Sequence, residues 1–351
     1  MTDFLASAYP RLGAHLNKMV LADLPTPVET LRFDTGSGVR TISVKRDDVS
    51  GASYGGNKIR KLEYIFQRAK ERNATRVATF GAVGSNHALA TAILAQRSGF
   101  DCSCLLVPQK PTPKIPRTLN MHRLIGTELV ALGGSVDRLA TYRRYLQGRH
   151  CWVIPMGGSS WLGAVGFVNA GLELAHQVLA GVAVAPQRIY VANGTMGSSV
   201  GLALGLALAE LPTELHAVRV VDERFASPPA FARLMRKTAM LLHRYDASIP
   251  ADLGSRVRLR WRDEFFAGGY AVTDSVTDGA VALAKQSLGL DIESTYTGKA
   301  MAAMVHDLTA EDYDGGHYLF WNTYNSRPLP VGNERPSTAR NIPQEFMTYF
   351  D

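Results

Sequence analysis

Cysteine is scarce: Cys102, Cys104 and Cys151 are the only three among 351 residues. Three thiols cannot all pair with one another and are too few for a disulfide scaffold. Cys102-Ser103-Cys104 has no metal-ligand partners at useful spacing, so packing is expected of it and no metal site. Long apolar runs are missing as well; none approaches the ~18–20 residues that cross a bilayer. Met1-Thr2-Asp3-Phe4 places an acid where a secretory signal is basic. There is no repeat and no low-complexity tract, which excludes solenoids and propellers. These absences predict a soluble, cytoplasmic protein without a membrane partner.

What is there is globular. Hydrophobic residues make up 46% and charged residues 20%, and the length suits about two domains. Thirty-eight Lys and Arg against 31 Asp and Glu leave a net charge of +7. The basic residues fall in short scattered clusters: Lys58-Ile59-Arg60-Lys61, Arg143-Arg144 and Arg256-Val257-Arg258-Leu259-Arg260. None is interleaved with aromatics as a nucleic-acid surface would be, so no nucleic acid is expected. A solvated surface that suits small anionic substrates is the preferred reading.

Strand and helix signals alternate along the chain. Arg76–Phe80 reads as a buried strand, 87–97 as a helix stopped at Ser98-Gly99, and Cys102–Val107 as the next strand. Further cycles run through helix 117–125, strand 127–132, helix 137–147 and strand 151–154. A long helix at 164–179 precedes strand 188–192, an apolar helix at 199–210 and strand 215–221. Helices at 228–247 and 276–288 and a last central strand, Tyr318–Trp321, complete the reading. Repeated β-α-β units imply parallel strands covered by helices. At least seven strands beside so many helices predict two α/β domains, with boundaries near 56 and 175. The smaller domain, 56–175, is then inserted into a larger one built from 1–55 and 176–351.

Four segments carry candidate chemistry. In Gly55-Gly56-Asn57-Lys58 the glycines allow close backbone approach, and Lys58 falls in a helix's first turn. The positive dipole end lowers a lysine's proton affinity there, which suits covalent engagement as an imine. An ordinary surface lysine is the competing reading, and this segment alone favours it. Gly81-Ala82-Val83-Gly84-Ser85-Asn86-His87 is a strand-to-helix turn whose amides suit a carboxylate, with Ser85 equally fit to be a plain N-cap. His87 is a base or a packed residue. Gly194-Thr195-Met196-Gly197-Ser198 joins glycines and hydroxyls at a helix start, a cradle for phosphate oxygens. It is neither a Walker A loop nor a dinucleotide fingerprint. In Ser294-Thr295-Tyr296-Thr297-Gly298-Lys299, Tyr296 offers a phenolic proton and Thr297 a neutral hydroxyl, while Met301 and Met304 belong to the core.

Together these segments resemble the D-cysteine desulfhydrase and 1-aminocyclopropane-1-carboxylate (ACC) deaminase family. That family belongs to the fold-type-II, tryptophan-synthase-β-like enzymes that use pyridoxal 5'-phosphate. The resemblance runs from Leu24-Pro25-Thr26-Pro27 to Trp321, and Gly55-Gly56-Asn57-Lys58-x-Arg60-Lys61-Leu62-Glu63 is its most specific signature. It implies three-layer parallel-sheet domains, and Lys58 as the residue that condenses with the cofactor's aldehyde. Asn86 is implied at the cofactor's ring oxygen. The turn Ser85-Asn86-His87 is implied to hold the substrate carboxylate, and Gly194, Thr195, Met196, Gly197 and Ser198 to form the phosphate cup. Tyr296 matches the catalytic tyrosine, and Tyr270 a second pocket tyrosine. A homodimer is implied by the same resemblance.

The implied reaction is loss of a β-substituent from a small amino acid, yielding a 2-oxo acid and ammonia. Lys58 would serve as base, with Ser85 or Tyr296 handling a second proton. Thr297 stands where ACC deaminases carry a glutamate against the ring nitrogen; this favours β-elimination over ring opening. Asn322-Thr323-Tyr324-Asn325 stands where relatives often show His-Thr-Gly-Gly. Thr323 still suits the ring nitrogen, while Tyr324 and Asn325 are expected to add bulk and polarity beside the pocket. ACC deamination, L-cysteate sulfo-lysis, β-replacement and a non-catalytic amino-acid sensor stay open as alternatives.

Overall fold

Tyr318–Trp321 (β10) is apolar throughout and all four side chains are buried, as expected of a strand covered on both faces. In the computed structural model it lies inside a six-stranded sheet, between Val39–Lys45 (β2) and Arg188–Asn193 (β7). Val28–Asp34 (β1) closes one side, antiparallel to β2; Glu214–Arg219 (β8) and Leu259–Arg262 (β9) extend the other side in parallel. A second sheet has four parallel strands in the order Glu128–Ala131 (β5), Asp101–Val107 (β4), Arg76–Ala82 (β3), Cys151–Ile154 (β6). The structure describes residues 3–133, 140, 143, 150–329 and 342–351. The expected helix 137–147 lies outside these residues, apart from 140 and 143.

Over the described residues the chain divides into two units. The first comprises Met1–Asn17, Ala22–Lys61 and Ser159–Arg327, and carries the six-stranded sheet; the second comprises Lys18–Leu21, Leu62–Gly158 and Pro328–Asp351. The divisions run at Lys61/Leu62 and Gly158/Ser159, where the sequence reading has 56 and 175, and 18–21 and 328–351 group with the second unit although the sequence reading gave them to the larger domain. Two local causes place them there. The first turn of the helix Lys58–Glu71 is bonded to the first unit through Arg60, and the helix Trp161–Leu179 packs on the helix Gly197–Leu208. That packing is backbone-close: a Cβ on Gly201 would stand 2.1 Å from the Ala164 carbonyl oxygen, and one on Gly205 2.4 Å from that of Val168. Only glycine fits at such an approach.

β1, β2 and β9 were not expected. Their charged residues hide the alternation: β1 reads Val-Glu-Thr-Leu-Arg-Phe-Asp, and β9 begins inside what reads as a basic surface cluster. The solvated reading also fails for Lys58-Ile59-Arg60-Lys61. Arg60 is 1% exposed and Lys61 2%.

Candidate active site

A buried ion cluster seats the lysine turn. The Arg60 fork donates to Asp47 (Nε to Oδ2 2.9 Å, Nη2 to Oδ1 2.7 Å) and, through Nη1, to Glu173 Oε2 at 2.9 Å. Lys45 Nζ donates to Glu173 Oε1 at 2.6 Å, Trp321 Nε1 to Asp47 Oδ2 at 2.8 Å, and Thr26 N to Glu173 Oε1 at 3.0 Å. Burial works to raise the Glu173 carboxyl, but the Arg60 and Lys45 charges outweigh it and bring it to about 2. Two cations and two anions in hydrogen-bond contact offset one another's desolvation, which an isolated buried charge cannot do.

Lys58 is therefore held at a fixed helix start. The turn before it needs its glycines: a Cβ on Gly55 would stand 1.8 Å from the Asp48 carbonyl oxygen, and Gly56 has φ +93°. Asn57 N donates to the Thr323 carbonyl at 3.1 Å, Asn57 Nδ2 to Ser198 Oγ at 2.9 Å, and Lys58 Nζ to Asn57 Oδ1 at 3.0 Å. Burial lowers the Lys58 ammonium to about 8, against a smaller opposing pull from Glu293. A free amine is therefore within reach near neutral pH, as a nucleophilic lysine requires.

The expected cup, Gly194 to Ser198, follows β7. Met196 takes φ 67°, which turns the chain into the helix Gly197–Leu208. Gly197 N donates to Ser159 Oγ at 3.1 Å; Ser159 and Thr195 hydroxyls meet at 2.6 Å, and Lys61 Nζ donates to Ser159 Oγ at 3.3 Å. Gly194 is open enough that an added Cβ would find nothing nearer than Tyr296, at 3.7 Å, whereas one on Gly197 would stand 2.6 Å from Ser159 Oγ. Burial, with help from the Lys58 charge, holds the Lys61 ammonium well below the usual lysine range. A phosphate dianion beside helix amides and an ammonium fits this donor set. Two further observations agree: both amide atoms of Asn193, at the end of β7, and the buried Ser199 hydroxyl lack a partner.

Tyr296 and Tyr270 share a hydrogen bond of 2.8 Å between their hydroxyls, with rings at 70°. Burial pushes Tyr296 well above the ordinary phenol range and raises Tyr270 too. The Glu293 carboxylate fixes this turn, accepting from the amides of Thr295 (2.9 Å), Tyr296 (2.8 Å) and Thr297 (3.2 Å). The Thr297 hydroxyl accepts from Glu293 N at 3.1 Å, so it closes the turn.

In the second unit, Ser85 Oγ accepts from Ala88 N at 3.3 Å and caps the helix Asn86–Arg97. Asn86 Oδ1 accepts from Lys114 Nζ at 3.4 Å. His87 is 4% exposed and its Nε2 meets Thr79 Oγ1 at 2.8 Å, which places its ring in the core beneath the turn. Within the first unit, the 194–198 turn follows β7 and Thr323 follows β10; Asn57, next to Lys58, bonds Thr323, and Gly194 faces Tyr296, which bonds Tyr270.

Five residues without an assigned role from the sequence join the site: Asn57, Lys61, Ser159, Arg60 and Glu293. Lys61 had a legible signal, lying three residues after Lys58 and so on the same helix face. Glu293, three residues before the Tyr296 N-cap and so on the wrong side of it for a capping box, had no signal. Ser159 had none.

The sequence profile of the family described as "Pyridoxal-phosphate dependent enzyme" matches residues 20–323. D-cysteine desulfhydrases from two strains of Klebsiella pneumoniae are each 33% identical over 317 residues, 87% of this chain and 93% of theirs. A crystal structure described as an ACC deaminase homologue superposes with TM-score 0.75 at 26% identity, covering 93% of this chain and 96% of that one. A fungal L-serine ammonia-lyase from Rhizomucor miehei shares the fold alone, with TM-score 0.60 and 17% identity over 88% of this chain and 95% of that one. By the family match over residues 20–323 and these relatives, this chain belongs to the pyridoxal-phosphate dependent enzymes.

Proposed function

We propose that the protein is a lyase that expels a β-substituent from a small amino acid, with D-cysteine the first candidate and a 2-oxo acid and ammonia the products. One observation carries the reading. Lys58 is buried at a helix start, 3.0 Å from the Asn57 amide oxygen, with its proton affinity lowered to about 8. When bound, pyridoxal phosphate supplies an electron sink for bonds at the substrate's α-carbon.

The chain's own groups do the rest. Lys61, Thr195 and the amides of Gly197 and Ser198 would hold the phosphate, and Thr323 would serve the ring nitrogen. Asn86 serves the ring oxygen. The start of the helix Asn86–Arg97 takes the substrate carboxylate on its amides, where helix geometry favours an anion. Lys58 would move a proton at the substrate's α-carbon. Tyr296 keeps its phenolic proton at neutral pH, because burial raises it, and so acts as a donor to the departing group, oriented by Tyr270. Ser85 is the alternative carrier of that second proton.

In this reading the first unit takes the part of the larger cofactor domain and the second that of the smaller domain, with 18–21 and 328–351 joined to the inserted 62–158. No described helix is long and apolar enough to cross a membrane; a homodimer working in the cytoplasm goes with this reading, and sedimentation and cell fractionation check it. Opening of ACC is the second reading, favoured by the likeness to the ACC deaminase homologue. The deciding experiment incubates the protein with D- and L-amino acids and ACC, scoring ammonia and 2-oxo acid. Sulfide and pyruvate from D-cysteine are expected. Turnover of ACC alone would replace the first reading with the second.

A further inference from the structure

The chain beyond β10 runs back along the loop that delivers Lys58. That loop is irregular after the short turn Asp47–Val49, and its glycines at 55 and 56 supply no side chains to stiffen it. Its backbone is nevertheless bonded to residues 323–327 at five points. Ser326 N donates to Asp48 O at 3.0 Å, and Arg327 donates from Nη2 to Val49 O at 3.4 Å and from Nε to Gly51 O at 3.1 Å. Gly55 N donates to Asn325 Oδ1 at 2.6 Å, and Asn57 N to Thr323 O at 3.1 Å. Asn325 is itself braced. Its Oδ1 accepts a second amide, Arg327 N at 3.1 Å, and its Nδ2 donates to Arg327 O at 2.8 Å.

Asn325 therefore does not add polarity beside a pocket, as the sequence suggested; its amide is spent on the Gly55 turn. Arg327, which carried no role in the sequence, satisfies two loop carbonyls that no helix or strand would pair. We propose that Asn325 and Arg327 are positioning residues that clamp the Asp48–Asn57 loop and so fix where Lys58 meets pyridoxal phosphate. This rests on the cofactor reading above, because the group being positioned is the amine that joins that cofactor.

The test uses the holoenzyme and two readouts besides turnover: the rate at which pyridoxal phosphate leaves, and the fraction of Lys58 labelled by borohydride. Asn325→Ala is expected to speed release about tenfold and to lower labelling, since a short, partly buried hydrogen bond is lost. Asn325→Asp keeps the oxygen that accepts both amides, gives up the donation to Arg327 O, and should release the cofactor more slowly than Asn325→Ala. A merely structural role would lower the unfolding midpoint without separating Ala from Asp in release from the folded protein. Release and labelling at parental values in Asn325→Ala would overturn the proposal. If that variant does not fold, Arg327→Met serves, with release about threefold faster expected and an unchanged rate refuting it. A parent protein unlabelled at Lys58 but labelled elsewhere would sink the cofactor assignment first, and this proposal with it.

Discussion

The turn before Lys58 and the turn before Asn86 both follow glycines and both open a helix, yet different bonds hold them. Around Lys58 the restraints are ionic and buried: Arg60 bridges Asp47 and Glu173, and Lys45 completes the cluster. Around Ser85 they end on neutral groups: the Ser85 cap, the contact of Thr79 with His87, Gly84 N donating to Gln109 Oε1 at 3.1 Å, and a long bond from Lys114 Nζ to Asn86 Oδ1 at 3.4 Å. Charge-assisted bonds are roughly twice as strong as neutral ones, and a broken buried ion pair leaves a bare charge behind. The difference suits the two tasks proposed for these turns. A lysine that forms a covalent link must stay in one place, while a turn that takes a carboxylate needs only its amides pointing outward.

The comparison can be broken in several ways. Lys58→Ala should cut turnover by more than about a thousandfold, read by keto-acid formation; a variant within tenfold of the parent would remove Lys58 from the chemistry. Arg60→Met strands Asp47 and Glu173 in the interior and should cost about 3–5 kcal/mol in urea unfolding. The matching change in the other turn, Ser85→Ala, should cost only ~1 kcal/mol, and equal losses would erase the contrast. Between these in size, Tyr296→Phe is expected to lower kcat about a hundredfold with KM little changed; an unaffected kcat makes Tyr296 a packing residue.

A pH titration gives the smallest effect. In the cofactor-free protein, Lys58 binds its proton less tightly when folded (about 8) than when unfolded (10.5). The unfolded state holds the extra proton between those values, so stability should rise with pH across that window, and Lys58→Met should flatten part of the rise. A slope identical in parent and variant would show that Lys58 is not desolvated.

The parallel core was legible because its strands are short apolar runs bounded by turn residues. Cys151–Ile154 and Tyr318–Trp321 carry the same bounds in sequence and structure. β1 and β9 were not, because edge strands interleave charges that pattern reading assigns to loops or surface. In the site, the turns around Lys58, Ser85, Gly194 and Tyr296 stood out through glycines and hydroxyls at helix starts. Arg60 did not, for a buried guanidinium looks in sequence like any surface one. Its partners at Asp47 and Glu173 are 13 and 113 residues away.

Local chemistry needs only neighbouring residues, so the amino-acid order by itself determined the alternating α/β elements, the glycine turns and the lysine at a helix start. Tertiary structure decided how far each group would be dehydrated and which charges would meet it. Burial brings Lys58 to about 8 and presses Lys61 well below its usual range, and it is folding that sets Ser159, Asn325 and Glu293 against the turns they hold. Dehydration and long-range pairing depend on what the rest of the chain packs around a side chain, and no local pattern carries that information.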